Sequence, residues 1–386
     1  MDVKNTFVHG ELEEEVYMQP PPGLPHAPNQ VCKLRKDIYG LKQAPRAWFE
    51  KFSSAILEYG FTQSFYDSSM FTRSSSKGIV ILLLYVDDMV ITGSDLEGIN
   101  NLQTYLSFCF QMKDLGFLSY FLGIEVSKFN NGYFVSQVKY ACEIIQRAGI
   151  TDTKVVDTPL EVNVRHSPTD GTLLSNPTLY RQLLGSLNYL TITRPDISHA
   201  VHRVSQFMYA HRSTHYAIFL RILRYLKGNL YKGLQFSSKS DLTLRGYSDS
   251  DWAGDVTDRR SFTGYCVFLG DSLISWRSKK QSIVFRSSAE AEYRALAHTT
   301  SEIIWLRWLL TDMGIYLRKP TPLFFDNKVV IQITHIDVFH ERTKYIEIDC
   351  HFTRHHFKHG TITLPHVKSE LQIADLFTKS HPAPRL

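Results

Sequence analysis

The most informative hydrophobic pattern is the run "ILLLYVDDMVITGSD" at residues 81–95. Apolar and β-branched side chains fill residues 81–86 and return at 89–92, which predicts the two strands of a hairpin. Asp87 and Asp88 interrupt this pattern. A solvated turn would accommodate them, although tight hairpin turns favour Asn-Gly or Asp-Gly. The alternative is a metal site at the hairpin tip, because magnesium requires hard oxygen ligands.

The remaining pattern before residue 126 mixes short strands and helices. A helix is predicted at 45–58, with Pro45 in its first turn and Gly60 after its end. A second helix is predicted at 96–110, followed by a hairpin that turns at Asn131-Gly132. These elements indicate an α+β domain.

From residue 138 to about 236 apolar residues recur at spacings of three and four, which predicts mostly helices. A Pro-, Ser- and Thr-rich stretch at 157–178 predicts a loop. From about 242, strands precede a long helix that opens with the capping box Ser287-x-x-Glu290 and runs to Gly314. A mixed sheet flanked by helices is expected there.

Composition adds few restrictions. The chain has 386 residues, 43% of them hydrophobic, and a net charge of +5, so several folded domains and a polyanionic partner are both allowed. The five cysteines are scattered singly, which argues against a disulfide framework and for a reducing compartment. No apolar run is long enough to cross a membrane, and no secretion signal is visible.

Acidic residues recur at element ends in the last third of the chain. Asp249 and Asp326 end predicted strands, Glu292 lies early in the long helix, and Asp375 lies in "LQIADLFTK". Each alone is typical of a helix cap or a solvated surface. Together, on one sheet and two helices, they predict a carboxylate set that could hold a pair of magnesium ions.

The motifs "GYSDSDWAG", "SSAEAEYRALA", "FFDN" and "LQIADLFTK" resemble, in order and spacing, the four acidic motifs of ribonuclease H in copia-type LTR retrotransposons. Earlier blocks are similar to the reverse transcriptase of the same family: "DVKNTFVHGELEEEVYMQPPPG", "YGLKQAPRAWFEKF", "LYVDDMVITGSD", "FLGIEV", "YRQLLGSLNYLTITRPDISHAV" and "RILRYLKG". The resemblance covers essentially the whole chain, and ordered blocks of this number are specific.

The resemblance implies an architecture. Residues 1–126 would be a reverse transcriptase palm, 127–241 a mostly helical thumb or connection, and 242–386 an α/β ribonuclease H domain with a mixed sheet. The fingers that precede Asp2 in relatives, and the strand that should hold Asp2, are expected to be missing. The chain would then be the C-terminal piece of a polyprotein whose integrase, protease and fingers lie upstream.

The resemblance also implies functional residues. Asp2, Asp87 and Asp88 would be the catalytic, metal-binding polymerase carboxylates. Phe7 would exclude a ribose 2′-hydroxyl, and Gln43 would lie in the block that contacts the incoming nucleotide. Residues 121–126 would be the primer-gripping hairpin. The catalytic and metal-binding residues of the ribonuclease would be Asp249, Glu292, Asp326 and Asp375.

Magnesium is the implied cofactor, with manganese as an alternative. The implied partners are an RNA–DNA hybrid, an RNA template, a DNA primer and, given fingers, a deoxynucleoside triphosphate. Without fingers we expect little templated DNA synthesis, because a misplacement of about 1 Å can cost about a hundredfold in rate. A cytoplasmic particle or the nucleus is the implied location. The alternative function is a non-catalytic, nucleic-acid-binding remnant of a decayed retrotransposon.

Three further patterns have competing interpretations. His351, His355 and His359 with Cys350 have the spacing of one helix face, so a zinc site competes with a solvated basic face. Trp305 and Trp308 are more typical of a core than of a base-stacking platform. The set Arg221, Arg224 and Lys227 would either follow a phosphate backbone or be solvated.

Overall fold

The computed structural model describes residues 1–10, 12, 14–162, 164, 167–209, 211–335 and 346–383. The chain divides into two compact units, Met1–Leu118 with Arg307–Tyr316 and Ser119–Leu306 with Leu317–Leu386. Among the described residues, no helix has the length and apolar character needed to cross a membrane.

The elements of the first unit are mostly strands. They are β1 (Asp2–Val3), β2 (Tyr17–Met18), β3 (Cys32–Lys33), α1 (Ala44–Glu58), β4 (Thr62–Gln63), β5 (Met70–Ser75), β6 (Gly78–Tyr85), β7 (Asp88–Gly93), α2 (Leu96–Cys109) and β8 (Met112–Lys113).

The second unit contains most of the helices. Its elements are β9 (Tyr120–Phe121), β10 (Ile124–Phe129), β11 (Gly132–Ser136), α3 (Val138–Arg147), α4 (Pro177–Leu190), α5 (Ser198–Ser205), α6 (Ser213–Gly228), β12 (Leu234–Ser237), β13 (Leu244–Ser250), β14 (Phe262–Leu269), β15 (Ser272–Lys280), α7 (Ser288–Asp312, whose last turns belong to the first unit), β16 (Thr321–Phe324), α8 (Lys328–His335), α9 (Glu347–Lys358) and β17 (Ile362–Thr363).

The first unit is built on a six-stranded sheet in the order β4-β5-β6-β7-β1-β8, in which all neighbours are antiparallel. Helix α1 buries Trp48 and Phe52 against the same core that holds Leu82 of β6 and Leu102 of α2. The predicted hairpin and both predicted helices are present, with α2 beginning after Asp95, whose Oδ1 accepts a hydrogen bond from Gly98 N at 2.8 Å.

The helical part of the second unit packs around a separate apolar core. Helices α3, α4, α5 and α6 all contribute fully buried residues, including Leu184, Val201 and Phe219. The stretch predicted as mostly helical to about residue 236 contains one strand at its end, β12, which pairs with β11 in a four-stranded sheet, β12-β11-β10-β9. The predicted hairpin β10–β11 is present, but Phe129 faces Gly132, so its loop residues are Asn130 and Asn131.

A five-stranded mixed sheet, in the order β15-β14-β13-β16-β17, completes the second unit. Strands β15, β14 and β13 are antiparallel, whereas β13, β16 and β17 are parallel, as the sequence pattern predicts. The capping box is also present: the Glu290 carboxylate accepts a hydrogen bond from Ser287 N at 3.0 Å, and Ser287 Oγ accepts one from Glu290 N at 3.3 Å. Both bonds satisfy backbone N–H groups that a helix start leaves unpaired.

Candidate active sites

The first candidate site lies at the β6–β7 hairpin. Tyr85 and Asp88 are the last cross-strand pair, so Val86 and Asp87 form a two-residue loop. Val86 has φ +53°, a conformation that costs a β-branched residue about 1 to 3 kcal/mol. Its carbonyl accepts a hydrogen bond from Trp48 Nε1 at 2.8 Å. The hairpin is therefore confirmed, and a buried tryptophan fixes its strained tip.

Strand β1 brings Asp2 to the same place. Val3 N donates to Asp87 O and Met89 N donates to Met1 O, both at 2.9 Å. Asp2 and Asp88 are thus a non-hydrogen-bonded antiparallel pair, the arrangement with the closer side chains, at a typical Cα separation of about 4.5 Å. The expectation that Asp2 lacks its strand is wrong, because even two residues suffice to pair with β7 and β8.

This arrangement concentrates negative charge. Burial raises the pKa of Asp88, and the neighbouring Asp87 and Asp2 carboxylates raise it further. The N-terminal ammonium lowers this pKa and so opposes the increase in part. Like charges on facing positions destabilise a sheet unless a cation compensates for them. The three acids therefore have the oxygen donors and the unbalanced charge that suit a divalent cation.

Phe7 and Gln43 belong to two elements of the first unit that pack together, the turn Thr6–His9 and the start of α1. Phe7 is in a 3₁₀ turn, with its ring 4.6 Å from that of Tyr39 in an edge-on contact. Gln43 is the N-cap of α1 and lines a cavity of about 640 Å³. Phe7 is not among the described residues that line this cavity. Their implied roles in nucleotide binding stay predictions.

The cavity beside Gln43 contains a residue that the sequence did not single out. Asp37 is fully buried, and neither of its carboxylate oxygens has a hydrogen-bond partner among the described residues. Burial raises its pKa, with a contribution from Glu14. The motif "KDIYG" has the character of an exposed turn, so no local signal indicated this burial.

The second candidate site lies at the carboxyl ends of two neighbouring parallel strands of the mixed sheet, β13 and β16. Tyr247 of β13 pairs in parallel with Phe324 of β16, and Asp249 and Asp326 each follow two residues later. Both acids therefore lie at the same level of adjacent strands. Ser369 Oγ donates to Asp326 Oδ2 at 2.6 Å.

Glu292 approaches this edge from α7. The helix is tied to β13 by a hydrogen bond of 2.8 Å between Thr299 Oγ1 and Ser248 Oγ. Burial raises the pKa of Glu292 to about 8, and the carboxylates of Asp249 and Asp326 add to this increase. A hydrogen bond with Asn327 lowers the pKa and so opposes the increase. Glu292 Oε2 is buried without a hydrogen-bond partner in the described part of the chain.

Asp375 lies in the turn Ile373–Phe377, which packs on β13 and β14. Gln372 Nε2 anchors the turn by donating to Ser248 O at 3.0 Å. Thr378 Oγ1 donates to Asp249 Oδ2. The turn thereby brings Asp375 beside Asp249, whose pKa the Asp375 carboxylate helps to raise.

Lys379 lies between these two acids. Its Nζ is 2.8 Å from Asp375 Oδ1 and 3.6 Å from Asp249 Oδ2. Burial raises the pKa of Asp249 to about 6; the Lys379 ammonium opposes this increase, whereas the Asp375 carboxylate adds to it. Sequence reasoning missed this lysine, although its spacing of four from Asp375 places it on the same face of a helical turn.

Asp251, in the same motif as Asp249, is a further acid near the site. Burial raises its pKa to about 7, against a hydrogen bond from Phe262 N. With Lys379 and Asp375 it lines a cavity of about 560 Å³. The alternating acids of "SDSD" could have indicated it.

The donor set of the second site fits magnesium. Asp375 and Asp326 add to the raised pKa of Asp249, and Asp249 and Asp326 add to that of Glu292. Glu292 also offers a carboxylate oxygen that has no hydrogen-bond partner among the described residues. In the described ranges, however, no group of three or more His, Cys, Asp or Glu side chains has the spacing of a finished metal site. The acids supply suitable oxygen ligands, but in this structure Asp249 and Asp375 form ion pairs with Lys379.

The competing patterns have different outcomes. The His351, His355 and His359 face belongs to α9, and the same absence of a three-residue metal group applies to it within the described chain. Trp305 and Trp308 are 37% and 46% exposed, so their assignment to a core is wrong.

The basic residues of α6 are neither simply solvated nor left without acidic partners for contact with a phosphate backbone. Arg221 pairs with Glu161 and Arg224 with Asp152, each at 2.9 Å, and Lys227 Nζ donates to Asp152 O. These residues attach the segment after α3 to the helix bundle.

A model of the family "reverse transcriptase (RNA-dependent DNA polymerase)" matches residues 1–162. The Pol polyprotein from transposon RE1 of Arabidopsis thaliana is 45% identical over 381 residues, which are 98% of this chain and 26% of that protein. A transposon Ty5-1 protein of Saccharomyces cerevisiae is 30% identical over 308 residues, which are 78% of this chain and 100% of that protein. The chain belongs to the retrovirus-related Pol polyproteins of copia-type transposons.

The chain spans about a quarter of the length of the RE1 polyprotein. A solved structure, the N-terminal RNase H domain of a Mycobacterium tuberculosis protein, covers 36% of this chain and 91% of its own, at 13% identity and a TM-score of 0.27. A similarity this weak supports no conclusion about function.

Proposed function

We propose that Asp249, Glu292, Asp326 and Asp375 form a magnesium-dependent ribonuclease H site that cleaves the RNA strand of an RNA–DNA hybrid. The observation that carries the proposal is the parallel pairing of β13 with β16, which aligns Asp249 with Asp326 at one sheet edge. The raised pKa of Glu292, to which both of these acids contribute, supports their proximity.

The protein's part in such a reaction follows from these contacts. Thr378 holds one oxygen of Asp249, and Ser369 holds one oxygen of Asp326, so each carboxylate is oriented before a metal binds. Glu292 Oε2 is a buried acceptor that a cation would satisfy. Two magnesium ions held by these acids would activate the attacking water and stabilise the leaving 3′-oxygen.

We also infer that residues 1–126 form a reverse transcriptase palm and that the mostly helical residues 127–241 form its thumb or connection. Asp2, Asp87 and Asp88 would be the polymerase ligands for magnesium, with Phe7 and Gln43 near the nucleotide. The close pairing of Asp2 with Asp88 supports this assignment. RNA template, DNA primer and the remainder of the polyprotein would be the partners.

The ribonuclease proposal is tested with the full chain and a labelled RNA–DNA hybrid in magnesium. We expect cleavage of the RNA strand, and we expect Asp249→Asn and Glu292→Gln to lower its single-turnover rate by about a hundredfold or more while hybrid affinity changes little. Asp271→Asn is the matched control, because Asp271 is an exposed acid at the β14–β15 turn.

The proposal fails if both site variants cleave as fast as wild type. It also fails if a folded, hybrid-binding wild type does not cleave, and the chain then fits a nucleic-acid-binding remnant. Affinity for the hybrid should fall with added salt in either case, because phosphate contacts release counterions.

A further inference from the structure

Lys379 is the charged side chain that joins two of the proposed metal ligands. Asp249 is on β13, whereas Asp375 is on the turn after β17, and Lys379 Nζ lies within ion-pair distance of both. Hydrogen bonds from Thr378 N and Lys379 N to Asp375 O, at 3.1 and 3.0 Å, close the turn that places the lysine there.

The lysine compensates for charge throughout the acidic cluster. Its ammonium opposes the rise in pKa of both Asp249 and Glu292. Burial lowers the pKa of Lys379 itself, but Asp249, Asp375 and Asp326 together keep it above the ordinary value. Lys379 is therefore the direct counter-ion of Asp375 and Asp249, the two acids within ion-pair distance of its ammonium.

A divalent cation and this ammonium need the same oxygens. Asp375 Oδ1 and Asp249 Oδ2 accept the ion pairs with Lys379, and magnesium would need carboxylate oxygens at the same place. The lysine side chain is 46% exposed, so its flexible stem can carry the ammonium into water.

From this geometry we infer that Lys379 is a built-in cation that holds Asp249 and Asp375 together without metal and must be displaced from both when magnesium binds. This inference rests on the proposed ribonuclease function. It assigns to Lys379 control of the metal affinity of the site. It also accounts for the absence of a finished three-residue metal group among the described residues.

Calorimetric titration with magnesium tests the inference in the full chain. All proteins carry Asp87→Asn and Asp88→Asn, which remove the other acidic cluster. We expect Lys379→Gln to bind magnesium about tenfold more tightly than its parent, a difference of about 1.4 kcal/mol. Lys239→Gln removes the same charge from an exposed residue before β13 and should leave affinity unchanged.

A second substitution separates charge from shape. Lys379→Arg keeps the positive charge. Its magnesium affinity should stay within about twofold of that of its parent if the charge of the side chain is what competes with magnesium. Circular dichroism spectra of all variants verify that each is folded. Equal or weaker magnesium binding by Lys379→Gln would overturn the inference, and weaker hybrid binding with unchanged magnesium affinity would assign the lysine to the nucleic acid instead.

Failure of the proposed function has a different result. If Asp249→Asn does not reduce the magnesium binding of the parent protein, then the four acids are not a metal site and both proposals are wrong. If the parent binds and Lys379→Gln does not improve binding, only the inference about the lysine is wrong.

Discussion

Replacing Glu292 by Gln should stabilise the metal-free protein in alkaline solution. Burial, with Asp249 and Asp326, raises the pKa of Glu292 to about 8 from the ordinary 4.5. The folded state therefore binds this proton more tightly than the unfolded chain. The free energy of unfolding consequently falls as the pH rises from 4.5 to about 8 and stays at its lower value above.

The size of the effect follows from this interval. At 1.36 kcal/mol per pH unit, the interval from 4.5 to about 8 corresponds to roughly 5 kcal/mol as an upper bound. Water entering the site reduces this cost, so we expect about 2 kcal/mol. Glutamine is never charged and avoids the cost, so the variant should be more stable than wild type by this amount at about pH 9 and nearly equal at about pH 4.5.

Urea unfolding in the presence of a chelator, followed by circular dichroism, measures both proteins at several pH values. Glu347→Gln, at the exposed start of α9, is the matched control. A stability difference between wild type and Glu292→Gln that does not depend on pH would refute the reasoning. With saturating magnesium, wild type should instead be more stable to unfolding than Glu292→Gln, because the ion binds the glutamate carboxylate and not the neutral glutamine.

Three other substitutions have definite expectations. Asp196→Ala should cost about 3 to 5 kcal/mol in urea unfolding, because it leaves the buried Arg194 guanidinium unpaired; a loss below 1 kcal/mol would contradict this. Gly264→Ala should slow hybrid cleavage at least about tenfold, because a Cβ there would lie 2.6 Å from Thr378 Cγ2, and unchanged cleavage would argue against the packing of that turn. Val86→Gly should raise the free energy of unfolding by about 1 kcal/mol by relieving positive φ, and destabilisation would contradict the assigned strain.

Local signals were sufficient where a short stretch determines its own structure. The capping box at Ser287 begins α7 as predicted, and the alternation around the β6–β7 hairpin correctly gave its two strands. The ordered acids likewise indicated strand ends: Asp249 is the second-last residue of β13, and Asp326 lies two residues beyond β16. These features depend on neighbours within a few residues.

Features that depend on distant partners were not predictable. Strand β12 exists because it pairs with β11, a strand about a hundred residues earlier, and its own four residues carry little signal. The sequence left open whether Arg224 contacts a phosphate backbone or is solvated, because its partner, Asp152, lies on a distant segment. The same holds for Lys379, whose importance comes from Asp249 on another element.

The proposed ribonuclease function requires that four carboxylates of the second unit act together on an RNA–DNA hybrid. The most direct measurement is the single-turnover rate at which the full chain cleaves the RNA strand in magnesium, with wild type compared to Asp326→Asn at saturating hybrid. We predict cleavage of the RNA strand alone by wild type and a loss of about a hundredfold or more in the variant. Equal rates for the two proteins, or no cleavage by a folded wild type that binds the hybrid, would contradict the claim.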